Sequence, residues 1–221
     1  MTKVAPSILA ADVLNLERDV RRMMEAGCDW LHVDVMDAHF VPNLAYTPET
    51  VRKLRPLVSC PLDVHLMMDH PGSLLNAFLD AGAAVVTVHA EAMDPPEEMI
   101  RRIHERGAMA GIALRPGTDP EAIRQIMHQA DLILTMTVEP GFGGQTLDQR
   151  VPPRMKRLRE MGWKGLIEAD GGIREDNLPY LISCGLDVAV MGTALFHAKD
   201  PAQMIRNIHG MKAQESERNK A

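Results

Sequence analysis

The chain has 221 residues, of which 46% are hydrophobic and 24% charged, a length and composition suited to one large folded core. Its net charge of −6 argues against a nucleic-acid-binding surface, and no segment approaches the ~20 apolar residues that cross a bilayer. Cys28, Cys60 and Cys184 form no Cys-x-x-Cys pair and no secretory pattern opens the chain. These features predict a cytoplasmic protein with reduced thiols and no membrane partner.

An apolar run followed by a helical pattern recurs along the chain. The runs expected to be strands cover residues 4–9, 30–36, 62–67, 85–89, 109–114, 132–138, 166–170 and 188–191. The helical patterns cover residues 14–26, 48–57, 71–81, 95–105, 120–130, 147–161 and 176–184, with a last helix near 201–209. Glycines expected to form left-handed helix caps follow five of them, at Gly27, Gly82, Gly107, Gly162 and Gly185. Eight such units predict the α/β class and a single (β/α)8 TIM barrel over residues 1–221, with a polar, frayed tail at about 212–221.

Charged side chains interrupt the apolar pattern of three predicted strands. In His32-Val33-Asp34-Val35-Met36, the alternation of side chains puts His32 and Asp34 on one face and the valines on the other. His65 and Asp170 stand at similar places in two further strands. Because buried charge needs a partner, His32, Asp34, His65 and Asp170 predict the ligands of one divalent metal ion. Two imidazoles and two carboxylates fit Zn²⁺, Fe²⁺ or Mn²⁺ alike.

The two aspartates also suit catalysis. Asp34 and Asp170 belong to strands well apart around the barrel, so they are expected to approach a substrate from opposite sides. A metal between them would hold a carbonyl oxygen and stabilise an enediolate. One aspartate would then remove a proton and the other would return one to the opposite face, which is an epimerisation.

Glycine-rich loops follow the last three predicted strands. Backbone N–H groups in such loops can close on an anion, and barrels often bind phosphate after strands seven and eight. The first of the three is also flexible enough to act as a lid. The loops contain Gly141-Phe142-Gly143-Gly144, Gly171-Gly172 and Gly192-Thr193.

In combination these motifs resemble ribulose-phosphate 3-epimerases from about residue 4 to residue 196. The matching stretches are APSILAAD (5–12), HVDVMD (32–37), DVHLM (63–67), VEPGFGGQ (138–145) and DGG (170–172). The resemblance implies the four metal ligands above and Asp34 and Asp170 as the acid and base that interconvert D-ribulose 5-phosphate and D-xylulose 5-phosphate. It also implies that Ser7 and His65 touch the sugar and that the glycine loops and Thr193 hold the substrate and its phosphate. Met36, Met67 and Met136 would line the pocket.

Three positions depart from the commonest family pattern: Ala38, Thr47 (after Tyr46) and Arg115. They leave a hexulose 6-phosphate such as D-allulose 6-phosphate as an alternative substrate. A barrel metallohydrolase and a non-catalytic sugar-phosphate-binding barrel remain as functions of other classes. Apolar helix faces allow a homo-oligomer. His89 is expected to line the pocket without binding metal, Asp63 to be structural, and Glu168 to be either structural or a partner of a ligand.

Overall fold

A computed structural model describes residues 1–211, so the predicted frayed tail lies outside the described residues. Eight parallel strands and one short antiparallel strand form a single sheet, in the order β1-β9-β8-β7-β6-β5-β4-β2-β3. A parallel bridge between Ser7 and His32 joins the two ends of the parallel part and closes the barrel. The strands are β1 (Lys3–Pro6), β2 (Leu31–Asp37), β3 (Leu44–Ala45), β4 (Leu62–Met67), β5 (Val85–His89), β6 (Met109–Leu114), β7 (Leu132–Met136), β8 (Leu166–Asp170) and β9 (Val188–Met191).

Helices cover the outside of this sheet, which gives the (β/α)8 barrel predicted from the sequence. They are α1 (Leu16–Glu25), α2 (Pro48–Leu54), α3 (Leu75–Asp80), α4 (Pro96–Glu105), α5 (Pro152–Glu160), α6 (Leu178–Ser183), α7 (Thr193–Phe196) and α8 (Pro201–Gly210). All five predicted glycine caps have positive φ, which confirms them. Within residues 1–211, no helix is both long and apolar enough to span a bilayer.

Several predicted boundaries are wrong. The segment 120–130 is not one helix but two 3-10 turns, Pro120–Ile123 and Met127–Gln129. Pro120, Ile123 and Met127 are the buried residues of these turns, so a continuous helix would gain little packing. The first strand ends at Pro6 instead of residue 9, because the chain turns into a 3-10 segment capped by Ser7. Thr193 begins the short helix α7, which the sequence pattern did not predict.

The two faces of the strands are packed differently. Val33 and Val35 belong to the large core between sheet and helices, as their alternation predicts. A second, smaller apolar cluster includes Trp30, Leu132 and Val188. His32 and Asp34, on the other face of β2, are buried polar residues. The functional side chains therefore stand on the face of the sheet opposite the main core.

Candidate active site

A cavity of about 260 Å³ opens at the carboxyl ends of the strands. Its walls combine residues from strand ends with the loops that follow them. Among the predicted site residues, those on its wall are Ser7, Asp34, Met36, Met67, Met136, Gly141, Phe142, Gly143, Gly144, Asp170, Gly171, Gly172, Gly192 and Thr193. His32 and His65 are fully buried and are not among the lining residues. The imidazoles thus lie behind the carboxylates as seen from the cavity.

The four predicted metal ligands converge. One nitrogen or oxygen atom from each of His32, Asp34, His65 and Asp170 lies within 4.8 Å of the others. Nε2 of His32 and Nδ1 of His65 are buried and have no hydrogen-bond partner. A buried polar atom without a partner is costly, and a divalent cation would satisfy both nitrogens. The residues present therefore fit a metal held by two imidazoles and two carboxylates.

The carboxylate of Asp34 is held on one side by a hydroxyl. Ser7 Oγ donates a hydrogen bond of 2.5 Å to Asp34 Oδ2, and the other oxygen, Oδ1, lies 3.4 Å from His32 Nε2 and 3.5 Å from His65 Nδ1. Burial alone would raise the pKa of Asp34, but the neighbouring His32 and then His65 hold it below its usual range. Asp34 is therefore ionised and fixed in direction.

Asp170, at the end of β8, is in a different electrostatic environment. Removal from bulk water, followed by repulsion from Asp34, raises the pKa of Asp170 to about 7. Two carboxylates that share one small site are expected to behave in this way, because their negative charges repel each other. The pair favours a cation between them, and the two pKa values are pushed in opposite directions.

Acidic residues in the barrel interior contact the Nδ1 nitrogen of His32. Its Nδ1 lies 2.6 Å from Asp63 Oδ2 and 3.8 Å from Glu168 Oε1, and all three side chains are fully buried. Burial would lower the pKa of His32, but Asp63 and Asp34 raise it well above its usual range. Burial beside Asp63 raises the pKa of Glu168 well above its usual range and so favours the neutral carboxyl. Asp63, predicted to be only structural, is the hydrogen-bond partner of a candidate ligand.

A second histidine contacts the Nε2 nitrogen of His65. Its Nε2 lies 2.9 Å from His89 Nε2, and Nδ1 of His89 lies 3.0 Å from Glu91 Oε2. Burial lowers the pKa of His89 to about 4, so this ring is neutral. The expectation that His89 lines the pocket is wrong, because His89 is fully buried and His65 stands between it and Asp34. Glu91 was missed, although a His-x-Glu pair at a strand end was a visible signal.

The glycine loops pack against one another beside the cavity. The side-chain amide of Gln145 donates to the carbonyls of Glu139 and Phe142, and that of Asn43 donates to the carbonyl of Gly141. At Gly172, with φ of +62°, a Cβ atom would lie 2.5 Å from the backbone nitrogen of Leu147. Only glycine fits this approach between the loops that follow β7 and β8. The loops therefore present backbone to the cavity at close range.

The three residues that depart from the family pattern do not line the cavity. Ala38 has φ of +61°, a left-handed conformation that glycine adopts more easily, so the loop after β2 keeps a glycine-like path. Thr47 caps α2. Arg115 is not among the lining residues; its guanidinium lies 4.1 Å from the Phe40 ring centre and donates to the Phe40 carbonyl at 2.8 Å.

A cluster of two histidines and two aspartates from β2, β4 and β8, beside a cavity at the carboxyl ends of the strands, is the arrangement of an enzyme of the (β/α)8-barrel class. Solved structures agree on the fold: 3-hexulose-6-phosphate synthase from Salmonella typhimurium superposes with a TM-score of 0.75, covering 95% of this chain and 97% of that one. At 18% identity this similarity concerns the fold alone.

Sequence comparison gives the family. The profile described as the ribulose-phosphate 3 epimerase family matches residues 3–196. The ribulose-phosphate 3-epimerase of Bacillus subtilis is 42% identical over 217 residues, which cover 96% of this chain and 100% of that protein. The enzyme of the same name from Schizosaccharomyces pombe is 42% identical over 219 residues, covering 97% and 96%. The chain belongs to the ribulose-phosphate 3-epimerase family and is an isomerase, an epimerase that acts on carbohydrates.

Proposed function

We propose that this protein catalyses 3-epimerisation of a ketose phosphate, D-ribulose 5-phosphate to D-xylulose 5-phosphate, with one divalent metal ion (Zn²⁺, Fe²⁺ or Mn²⁺). The observation that carries this proposal is the convergence, within 4.8 Å, of two carboxylates and two imidazoles beside a cavity with glycine loops on its wall. The names of the relatives support a pentulose phosphate as the substrate, and the residues of the site support proton transfer by two carboxylates.

Asp34 and Asp170 are the proposed acid and base. Both line the cavity, and they come from β2 and β8, which are separated in the barrel by β1 and β9. One carboxylate removes the C3 proton from one face of the sugar, and the other carboxyl delivers a proton to the opposite face. The hydrogen bond from Ser7 fixes the direction of Asp34 and leaves its second oxygen turned to the imidazoles.

A metal held by His32, Asp34, His65 and Asp170 would supply a Lewis acid for the negative charge that develops on the substrate oxygens. The other residues orient and enclose the sugar. Met36, Met67 and Met136 give the cavity an apolar wall, which limits the water around the reacting carbon. Ser7 is the proposed sugar contact on the wall; His65, also predicted to touch the sugar, is fully buried behind it.

The phosphate is the proposed ligand of the glycine loops. Two of these loops follow the last two parallel strands and contain Gly171, Gly172, Gly192 and Thr193. The third, residues 141–144, contacts the loop after β2 through the hydrogen bond from Asn43 to the Gly141 carbonyl. Their backbone N–H groups suit an anion, because glycine has no side chain to keep the anion away from the backbone. Phe142 is 55% exposed on the first loop, which supports its proposed role as a lid.

The pentulose phosphate is preferred over a hexulose 6-phosphate. Ala38 has a glycine-like conformation and Arg115 is turned to Phe40, and neither residue lines the cavity, which supports the pentulose phosphate. Membership of an epimerase family disfavours both the metallohydrolase and the non-catalytic barrel. A cytoplasmic location and a homo-oligomer remain proposals; the three free cysteines support the first.

The test follows exchange of the C3 proton with solvent deuterium by NMR, on D-ribulose 5-phosphate and D-allulose 6-phosphate, with bound metal quantified. We expect interconversion of the pentulose phosphate to fall by about 10²–10⁴-fold in Asp34→Asn and in Asp170→Asn. Chelation should remove activity and one divalent ion per chain should restore it. Asp80→Asn is the matched control, since Asp80 is 59% exposed and paired with Arg106 outside the cavity. Undiminished interconversion in both site variants refutes the two-base mechanism.

A further inference from the structure

The hydrogen bonds behind His65 have only one consistent direction if its Nδ1 is to bind a metal. A coordinating nitrogen needs its lone pair, so the ring proton of His65 must be on Nε2. Nε2 then donates across the 2.9 Å contact to Nε2 of His89, which must accept. Because Nε2 of His89 accepts, its ring proton is on Nδ1, where it is donated to Glu91 Oε2 at 3.0 Å.

The opposite arrangement fails at Glu91. If Nδ1 of His65 carried the proton, His89 would donate through Nε2 and would turn the lone pair of its Nδ1 toward a carboxylate oxygen. Two acceptors facing each other at 3.0 Å repel. In the metal-free protein the lone pair of His65 Nδ1 faces Asp34 Oδ1, but at 3.5 Å, which is beyond a good hydrogen-bond distance, whereas the contact at Glu91 is 3.0 Å. The shorter contact decides, so an ionised Glu91 selects the tautomer of both rings.

The surroundings of Glu91 keep it ionised and fixed. Its Oε1 accepts from the backbone N–H of Arg115 at 2.9 Å and from Thr118 Oγ1 at 2.5 Å. Burial would raise the pKa of Glu91, but the bonds from His89, Thr118 and Arg115 hold it at about 2. The carboxylate is thus ionised near neutral pH.

A stack of side chains fixes the ring of His89 from its face. The Phe40 ring lies 4.5 Å from the His89 ring, centre to centre, and the Arg115 guanidinium lies on the Phe40 ring. Because Arg115 also donates to the Phe40 carbonyl, the loop after β2 is held against His89. The orientation of His89 is therefore set by packing and its proton by Glu91.

We propose that Glu91 is a positioning residue, which acts through His89 to present the free Nδ1 lone pair of His65 to the metal; this rests on the metal site of the proposed function. Glu91 touches neither the proposed ligand cluster nor the cavity wall. Its effect is on the metal affinity of His65, and an outer partner of this kind is worth about 10–100-fold in affinity.

The first measurement uses the metal-free protein. Long-range ¹H–¹⁵N NMR spectra of the histidine rings report which nitrogen carries the proton. We expect His65 and His89 as the Nε2–H and Nδ1–H tautomers, and a mixture for both in Glu91→Gln, whose amide can accept or donate. An Nδ1–H tautomer of His65 in the unaltered protein overturns the proposal, as does an unchanged spectrum in Glu91→Gln.

The second measurement is Co²⁺ affinity by chelator competition. Glu91→Gln and Glu91→Ala should weaken binding by about 10–100-fold, with kcat restored by excess metal, which a folding defect would not allow. Glu97→Gln is the matched control: it makes the same change at an exposed residue of α4 that belongs neither to the ligand cluster nor to the cavity wall, and it should stay within about twofold. Unchanged affinity in both Glu91 variants overturns the proposal. If the unaltered protein binds no Co²⁺, the metal site of the proposed function fails, and the spectra alone decide whether Glu91 sets the tautomers.

Discussion

His32 and His65 lie side by side, with ring centres 5.6 Å apart, yet their outer partners differ. His32 points its second nitrogen into the barrel, where Asp63 and Glu168 are fully buried. His65 points its second nitrogen toward β5, where His89 connects it to Glu91, whose side chain is 22% exposed. Bonds in the dry interior cannot be replaced by water, whereas those near the surface can. We therefore expect the partners of His32 to contribute mainly to the stability of the fold. The partners of His65 are expected to affect mainly its metal affinity.

The largest expected effect comes from Asp63→Ala. This change leaves His32 Nδ1 buried without an acceptor, and breaking a buried pair of this kind costs about 3 kcal/mol in the free energy of unfolding. Urea unfolding of the metal-free protein measures it. His104→Ala is the surface control, because His104 and Asp131 form a 2.8 Å pair in which both side chains are 41% exposed. The control should change stability by less than about 0.5 kcal/mol. If the two variants lost equal free energy of unfolding, the claim that the buried pair stabilises the fold more than the surface pair would be wrong.

A smaller effect, of opposite sign, is expected on the His65 side. Ala38, in the loop that carries Phe40, has φ of +61°, which costs a residue with a Cβ atom about 1–2 kcal/mol. Ala38→Gly should therefore raise the free energy of unfolding by about 0.5–1 kcal/mol after the extra chain entropy of glycine is subtracted. Thermal unfolding compared with Gly117→Ala, where a Cβ would meet nothing within 4 Å, separates backbone strain from a general effect of glycine content. A loss of stability in Ala38→Gly would contradict the assigned strain.

The smallest expected effect is that of Glu168→Gln. Burial beside Asp63 favours the neutral form of Glu168, so a neutral amide of the same shape should change the free energy of unfolding by less than about 0.5 kcal/mol. Urea unfolding beside Asp63→Ala makes the comparison direct. A loss above about 2 kcal/mol would mean that Glu168 is ionised and shares the imidazole of His32 with Asp63.

The strand–helix repeat and the ligand cluster were predictable because both depend on local pattern. Alternation along β2 places His32 and Asp34 on one face whatever the rest of the chain does. The parallel order of the sheet then brings His65 beside Asp34, since these two residues are partners in the β2–β4 register. The segment 120–130 was not predictable in this way. Its sequence has a helical pattern, but few of its side chains are buried, so packing does not stabilise a continuous helix.

By itself the sequence determined the barrel, the family, and the set of histidines and aspartates that share the inner face of the strands, because periodicity and motif spacing are properties of the chain. The tertiary structure alone decided which groups stand behind those ligands. The contacts of His32 with Asp63 and of His65 with His89 depend on strand register and side-chain packing, and they join residues 31 and 24 positions apart. No local pattern carries that information, since the neighbours of a buried polar atom are fixed only when the sheet closes.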